Sequence, residues 1–244
     1  MTGPDVLLTE DRGAVRILTM NRPDKRNALN TALTQALLDG LRAADATDSV
    51  AAVVLAGAGK GFCAGADLSE FKDLTPEFQH RVDERAELTM QLHLAFSKMA
   101  KPVVTAVQGA AMGGGAGLAI AGDLAVMAAS ATLGYPETRH GIVASIVMAN
   151  LARQIGRKAA FELVALGEPI GSQRALALGM VNHVVADQAL LSEALVLAEK
   201  LSKIKPEALR ATTQLFHEVA DLPLEEALKR GREMNKRMRA FRKA

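Results

Sequence analysis

The chain has no tryptophan and a single tyrosine, and aromatics make up only 3% of its residues. A run of stacking platforms for single-stranded nucleic acid needs more rings than that. The formal net charge is +2 at pH 7, so no global field argues for a nucleic-acid or membrane-surface partner. Cys63 is the sole cysteine, which excludes an internal disulfide and fits a reducing, cytoplasmic setting. No stretch of about 18 uncharged apolar residues reads as a membrane span. The run from Val103 to Gly122 comes nearest, and a glycine cluster interrupts it. The opening residues Met1 to Asp5 lack the basic-then-apolar order of a secretion signal. None of the five histidines has metal-ligand spacing.

What the chain does have is hydrophobic residues, at 49% against 23% charged, over 244 residues. That is enough for a sizeable globular core. Short strands are expected at Val6 to Glu10, Ala14 to Met20, Val50 to Leu55, Val103 to Val107, Leu124 to Met127 and Val181 to Val185. A helix capped by Asn30 or Thr31 carries Leu33, Leu37, Leu38 and Leu41 at helical spacing. A longer helix opens at Thr75-Pro76-Glu77 and ends before Lys101-Pro102. Further helices read at Ser145 to Gly156 and Lys158 to Leu166, then at Gln188 to Ile204, Pro206 to Val219 and Glu225 to Arg242. Strands alternate with helices up to about residue 190, and the chain is helical beyond it. This pattern predicts an α/β core over residues 1–190 and a helical region over 191–244.

Two glycine-rich stretches stand out, Gly61 to Leu68 and Gly109 to Gly117. Each follows an apolar strand-like run and precedes a possible helix start. Such turns leave backbone N–H groups free to point at an anion. A nucleotide reading fails on spacing, because Phe62 stands where the dinucleotide fingerprint needs its third glycine. A phosphate loop would need glycine in place of Val54 and Ser or Thr in place of Gly61. Two N–H groups converging on one point make an oxyanion hole, which stabilises negative charge on a carbonyl oxygen.

Several motifs then carry a resemblance. The run Asn21 to Leu29 (NRPDKRNAL) resembles the N-terminal signature of the crotonase superfamily, the enoyl-CoA hydratase/isomerase family. Phe62 to Leu68 is similar to its first oxyanion motif, and Lys101 to Gly115 to its second. Tyr135-Pro136-Glu137 resembles the loop that carries a catalytic acid, and Ala175 to Val181 the turn before the last core strand. The resemblance implies a crotonase-like spiral of β-β-α units with a C-terminal helical region, assembled as a homotrimer or a dimer of trimers. It implies acyl-CoA thioester substrates and no resident cofactor, coenzyme A arriving as part of the substrate. By position the oxyanion donors are the N–H groups of Ala66 and Gly114, and Lys25, Arg26, Ala28, Ala64, Asp67 and Leu68 line the CoA path.

The resemblance also exposes a departure. Hydratases of the family carry two glutamates, and the position of the first is Gly117 here. The second is present as Glu137. Hydration wants two proton-transfer groups around one water, whereas moving a double bond from 3-enoyl to 2-enoyl-CoA needs one. The apolar run Gly141 to Met148 after Glu137 also resembles the single-glutamate isomerases. Isomerisation with Glu137 as acid/base is therefore the expected reaction. Hydration with a substitute for the missing acid is the alternative, and a CoA-thioester binding subunit with little turnover is a third reading.

Read without the resemblance, Glu137 is an exposed loop carboxylate or a salt-bridge partner of Arg139. His140 is either a second acid/base or a packed histidine, and Tyr135 is a candidate for the acyl pocket. Asp67 is expected to cap a helix, Asp123 to be structural and Cys63 to be packing. The run from Lys229 to Ala244 holds eight Lys/Arg against Glu233 alone, and reads as a solvated helix face or as help for CoA phosphates. Thr213 stands where relatives often have lysine.

Overall fold

The computed structural model describes residues 5–72 and 75–239. Its strands are β1 (Leu7–Arg12), β2 (Val15–Met20), β3 (Ala52–Gly57), β4 (Val103–Val107), β5 (Ala110–Met112), β6 (Leu124–Ala128), β7 (Thr132–Gly134), β8 (Ile170–Gly171) and β9 (His183–Val185). Its helices are α1 (Thr31–Ala46), α2 (Gln79–Lys98), α3 (Gly114–Ala119), α4 (Val147–Ile155), α5 (Arg157–Leu166), α6 (Ser172–Ala177), α7 (Leu190–Ser202), α8 (Pro206–Val219) and α9 (Leu224–Arg237).

Six strands form one sheet in the order β1-β2-β3-β4-β6-β9, parallel except for the β1–β2 hairpin. The central strands are continuous apolar runs, and every residue of β4 is buried, as a parallel sheet covered on both faces requires. Helix α7 packs on β3, β4 and β6 through Leu190, Ala194 and Ala198. Helix α1 packs on β2 and α2, with Leu33, Leu37, Leu38 and Leu41 buried. Asn30 caps it, its side chain accepting the Leu33 N–H at 2.9 Å. At its other end the buried Lys101 donates from Nζ to the carbonyls of Ala44 (2.8 Å) and Thr47. Lys101 thus adds a charged donor to two carbonyls at the helix end that also accept the N–H groups of Thr47 (3.3 Å) and Val50 (3.0 Å).

A second, small sheet joins β5, β7 and β8. It is absent from the sequence reading, which took Gly109 to Gly117 as a turn into a helix. Strand β5 lies inside that stretch and pairs in parallel with β7, Met112 opposite Gly134. The pairing fixes where the chain leaves β7, and the next residues are Tyr135, Pro136 and Glu137.

Candidate active site

The two glycine stretches are zipped together. Cys63 N–H donates to Ala110 O at 3.2 Å and Met112 N–H to Cys63 O at 2.9 Å. Glycine is required where they touch. A β-carbon on Gly115 would lie 2.2 Å from Cys63 O, and one on Gly65 would lie 2.7 Å from Met112 O. Gly65 also has φ +91°, a conformation that side chains disfavour. The N-terminal signature closes the assembly from the other side. Leu29 N–H donates to Gly65 O (2.7 Å) and Asp67 N–H to Leu29 O (3.1 Å).

This packing brings two backbone donors to one place. Ala66 is exposed and Gly114 is half-buried at the first turn of α3. The β-carbon position of Gly114 lies 4.0 Å from Ala66 N. The neighbouring N–H groups of Gly113 and Asp67 are used internally, donating to Gly134 O and Leu29 O. The start of a helix adds a favourable dipole for an anion held there.

Glu137 sits in a 3-10 turn (Pro136–His140) directly after β7. Its carboxylate lies over Gly113, with Oε1 2.7 Å and Oε2 3.8 Å from the position of a Gly113 β-carbon. Oε2 is shut off from solvent with no hydrogen-bond partner among the described residues. Burial raises the pKa of this carboxyl above the ordinary value, against a backbone hydrogen bond and the nearby His140, which lower it. The expected pairing with Arg139 is not found, because Arg139 binds Glu168 at 3.1 Å instead. The side chain of Glu137 is therefore held for something other than an ion pair with its neighbour.

The other sequence candidates separate cleanly. Tyr135 is fully buried, and its hydroxyl has no partner among the described residues. Burial, and secondarily the charge of Glu137, raises its pKa. His140 is exposed, which corrects the reading of a packed histidine. Lys25, Arg26, Ala64 and Leu68 are exposed and Ala28 is half-buried. Arg26 O accepts Ala64 N–H at 2.9 Å, so the signature loop runs beside the first glycine stretch. Asp67 pairs with Arg22 at 2.8 Å and accepts the N–H and hydroxyl of Ser69, capping the short 3-10 helix Leu68–Lys72. Cys63 is buried, and burial pushes its thiol pKa up to about 12, which suits packing and not nucleophilic attack. Asp123 accepts Val103 N–H at 2.7 Å and faces His217 at 2.8 Å, a structural pairing. Thr213 is buried, its hydroxyl donating to Leu209 O. The cations of α9 are exposed and partly paired, Lys229 with Glu225 and Glu226 and Lys236 with Glu233. Residues 240–244 of that basic run lie outside the described residues. No group of His, Cys, Asp and Glu among the described residues could hold a metal ion. No described helix is long and apolar enough to cross a membrane.

Gly117, the position of the missing acid, is not open space. A β-carbon there would lie 2.5 Å from Val147 Cγ1 and 2.8 Å from His93 Cε1. Two residues that were not candidates in the sequence help to build this region. One is His93, from α2. The other is Asn27, fully buried with φ +55°. The Asn27 amide donates to the carbonyls of Ala58, Gly61 and Phe62 and its oxygen accepts Arg22 N–H, so it anchors the signature loop to the first glycine stretch.

Comparison with known proteins agrees with this arrangement. The family model described as Enoyl-CoA hydratase/isomerase matches residues 10–243. The 2,3-dehydroadipyl-CoA hydratase of Escherichia coli K12 is 36% identical over 231 residues, covering 93% of this chain and 88% of its own. Enoyl-CoA hydratase EchA19 of Mycobacterium tuberculosis is 32% identical over 229 residues, with 93% and 86% covered. Among solved structures, an enoyl-CoA hydratase from Mycobacterium smegmatis superposes with a TM-score of 0.90 at 34% identity, covering 96% of this chain and 91% of its own. One from Polaromonas sp. JS666 gives 0.90 at 32% identity, covering 95% and 91%. The fold is the crotonase-like α/β spiral with a C-terminal helical region. By these matches and its own geometry, the chain belongs to the enoyl-CoA hydratase/isomerase family of acyl-CoA thioester-processing proteins.

Proposed function

We propose that this protein moves a double bond in an acyl-CoA thioester, from 3-enoyl to 2-enoyl, with Glu137 as its one acid/base. The observation that carries this is the occupied space at Gly117, where Val147 and His93 stand in place of a second carboxylate. The Glu137 carboxylate takes a proton from C2, and the C–H electron pair moves into the thioester to form a dienolate. The N–H groups of Ala66 and Gly114 hydrogen-bond the enolate oxygen, each donor worth roughly 2.7–4 kcal/mol in comparable sites. Glu137 then returns the proton at C4, leaving the double bond between C2 and C3. Its buried, partner-free Oε2 and raised pKa suit a group that must both take and give a proton. Lys25, Arg26, Ala28 and Ala64 lie beside the oxyanion loop and, with Asp67 and Leu68, are proposed to line the CoA path. The expected homotrimer or dimer of trimers is part of this proposal, and the large exposed apolar Phe161, Leu224 and Leu228 support association with further copies.

Hydration of a 2-enoyl-CoA is the second reading, because the relatives named above are hydratases. One experiment separates the readings. The protein is incubated with a panel of 2-enoyl- and 3-enoyl-CoA thioesters and the products are weighed by mass spectrometry. Conversion of a 3-enoyl-CoA at unchanged mass, abolished by Glu137→Gln, is the expected result. A gain of one water on a 2-enoyl-CoA would replace the proposal with hydration. CoA binding without turnover would leave a binding subunit.

A further inference from the structure

A cavity of about 650 Å³ lies at the far end of α3, lined by Met90, His93, Ile120 and Ile146 and also by the polar Asp123, Arg153, Gln154 and Asp221. Ala66, Gly114 and Glu137 do not line it. From Gly114 to Ile120 is about 9 Å along a helix axis at 1.5 Å per residue. His93 belongs to both places. Its Cε1 lies 2.8 Å from the position of a Gly117 β-carbon, and the residue also lines the cavity. Its Nε2 is shut off from solvent with no partner among the described residues. Val147 closes the remaining gap at Gly117 and is itself buried. Gly117 lies about 4.5 Å from Gly114 along the axis, so an acyl tail that follows α3 from the thioester meets this wall after a few carbons.

We propose that His93, backed by Val147, is a plug that sets acyl-chain length: it confines the site to short acyl thioesters and separates it from a cavity able to hold a longer chain. This rests on the reading of Ala66, Gly114 and Glu137 as the acyl-CoA site. Burial lowers the pKa of His93 to about 4, so the ring itself is neutral near pH 7 and puts no charge against a hydrocarbon tail. The ring acts by its bulk. Removing it joins the two spaces.

The test is calorimetric titration of butanoyl-, hexanoyl-, octanoyl- and decanoyl-CoA, which are saturated and report the pocket without turnover. The wild type is expected to gain nothing beyond hexanoyl-CoA and to bind the two longer thioesters more weakly. His93→Ala is expected to gain about fourfold in affinity per methylene newly buried, and to bind octanoyl-CoA at least tenfold tighter than the wild type does. His93→Leu, which keeps the bulk and loses the imidazole, is expected to retain the wild-type profile. Val147→Ala provides an independent opening of the same wall and is expected to shift the profile the same way, so a His93→Ala variant that does not fold leaves the test standing. An unchanged chain-length profile in the opened variants, with short acyl-CoA still bound, overturns the plug alone. So does a wild type that binds decanoyl-CoA tenfold tighter than butanoyl-CoA. No binding of any acyl-CoA to the wild type overturns both the plug and the site reading.

Discussion

Replacing Gly117 with glutamate supplies the acid that a two-carboxylate hydratase would have, and the structure predicts that it fails. The new β-carbon would stand 2.5 Å from Val147 Cγ1 and 2.8 Å from His93 Cε1. To reach an ordinary contact of about 3.4 Å those atoms must retreat by roughly 0.9 and 0.6 Å in a close-packed wall. Overpacking of this kind costs about 1–3 kcal/mol. Setting a carboxyl group among them without a partner costs about 1–3 kcal/mol more. Relief from glycine inside a helix returns less than about 1 kcal/mol. The net loss is about 1–6 kcal/mol, which for a chain of this size lowers the melting temperature by roughly 2–24 °C. Differential scanning fluorimetry reads the shift, and an absorbance assay on a 2-enoyl-CoA reads hydration, which is expected not to rise. Combining Gly117→Glu with His93→Ala is expected to recover part of the stability, because one of the two contacts is removed. A single variant with an unchanged melting temperature and new water-adding activity would contradict the account of an occupied site.

Four further outcomes follow from the same geometry. Glu137→Gln is expected to abolish α-proton exchange in D2O, read by NMR, while holding or raising the melting temperature. The sign comes from linkage: a carboxyl whose folded-state pKa is raised favours folding in its protonated form, so ionisation above that pKa costs stability, and Gln mimics the protonated form. In the wild type, exchange is expected to fall on the acid side with a midpoint above the ordinary carboxylate value, since the base must be ionised. His93 has a depressed pKa, so its neutral form is favoured in the fold, and stability is lost as pH drops from about 6.5 through about 4. His93→Leu is expected to remove up to about 3 kcal/mol of that acid-side loss in denaturant titrations run at both ends of the interval. Lys101→Met is expected to lower stability by about 1–3 kcal/mol, read by urea unfolding, because the charge-assisted bonds to the carbonyls of Ala44 and Thr47 are lost while their backbone N–H partners remain.

Much of the frame was legible in the chain because it follows local rules. Strand β4 and helix α8 occupy the residues that the apolar run and Pro206 mark, and Asn30 caps α1 as its type suggests. The small sheet was not legible, since β5, β7 and β8 are two or three residues long and carry no alternation to read. The opening of α3 at Gly114-Gly115 runs against helix propensity and is held by tertiary contact with Cys63 and β7. Glu137, Ala66 and Gly114 could be picked out through the family pattern of glycines and the Tyr135-Pro136-Glu137 loop. His93 could not, because its meaning depends on meeting Gly117, a residue from another element. The burial of Asn27 is likewise invisible until its three carbonyl partners are brought around it.

The pairing of β5 with β7 has a mechanical consequence. Gly114 and Glu137 are far apart along the chain, yet Gly113 N–H and Gly134 O meet at 2.8 Å between them. On the proposed roles, the tolerance on the distance from base to enolate is then set by a few hydrogen bonds and not by the slack of the intervening residues. A displacement of the Glu137 loop pulls on the start of α3, so the proposed base and one proposed oxyanion donor drift together. The other donor, on Ala66, is tied to the same body through Leu29 and Gly65. The three groups therefore behave as one rigid gauge, and its calibration sits in the backbone, where most side-chain substitutions do not reach.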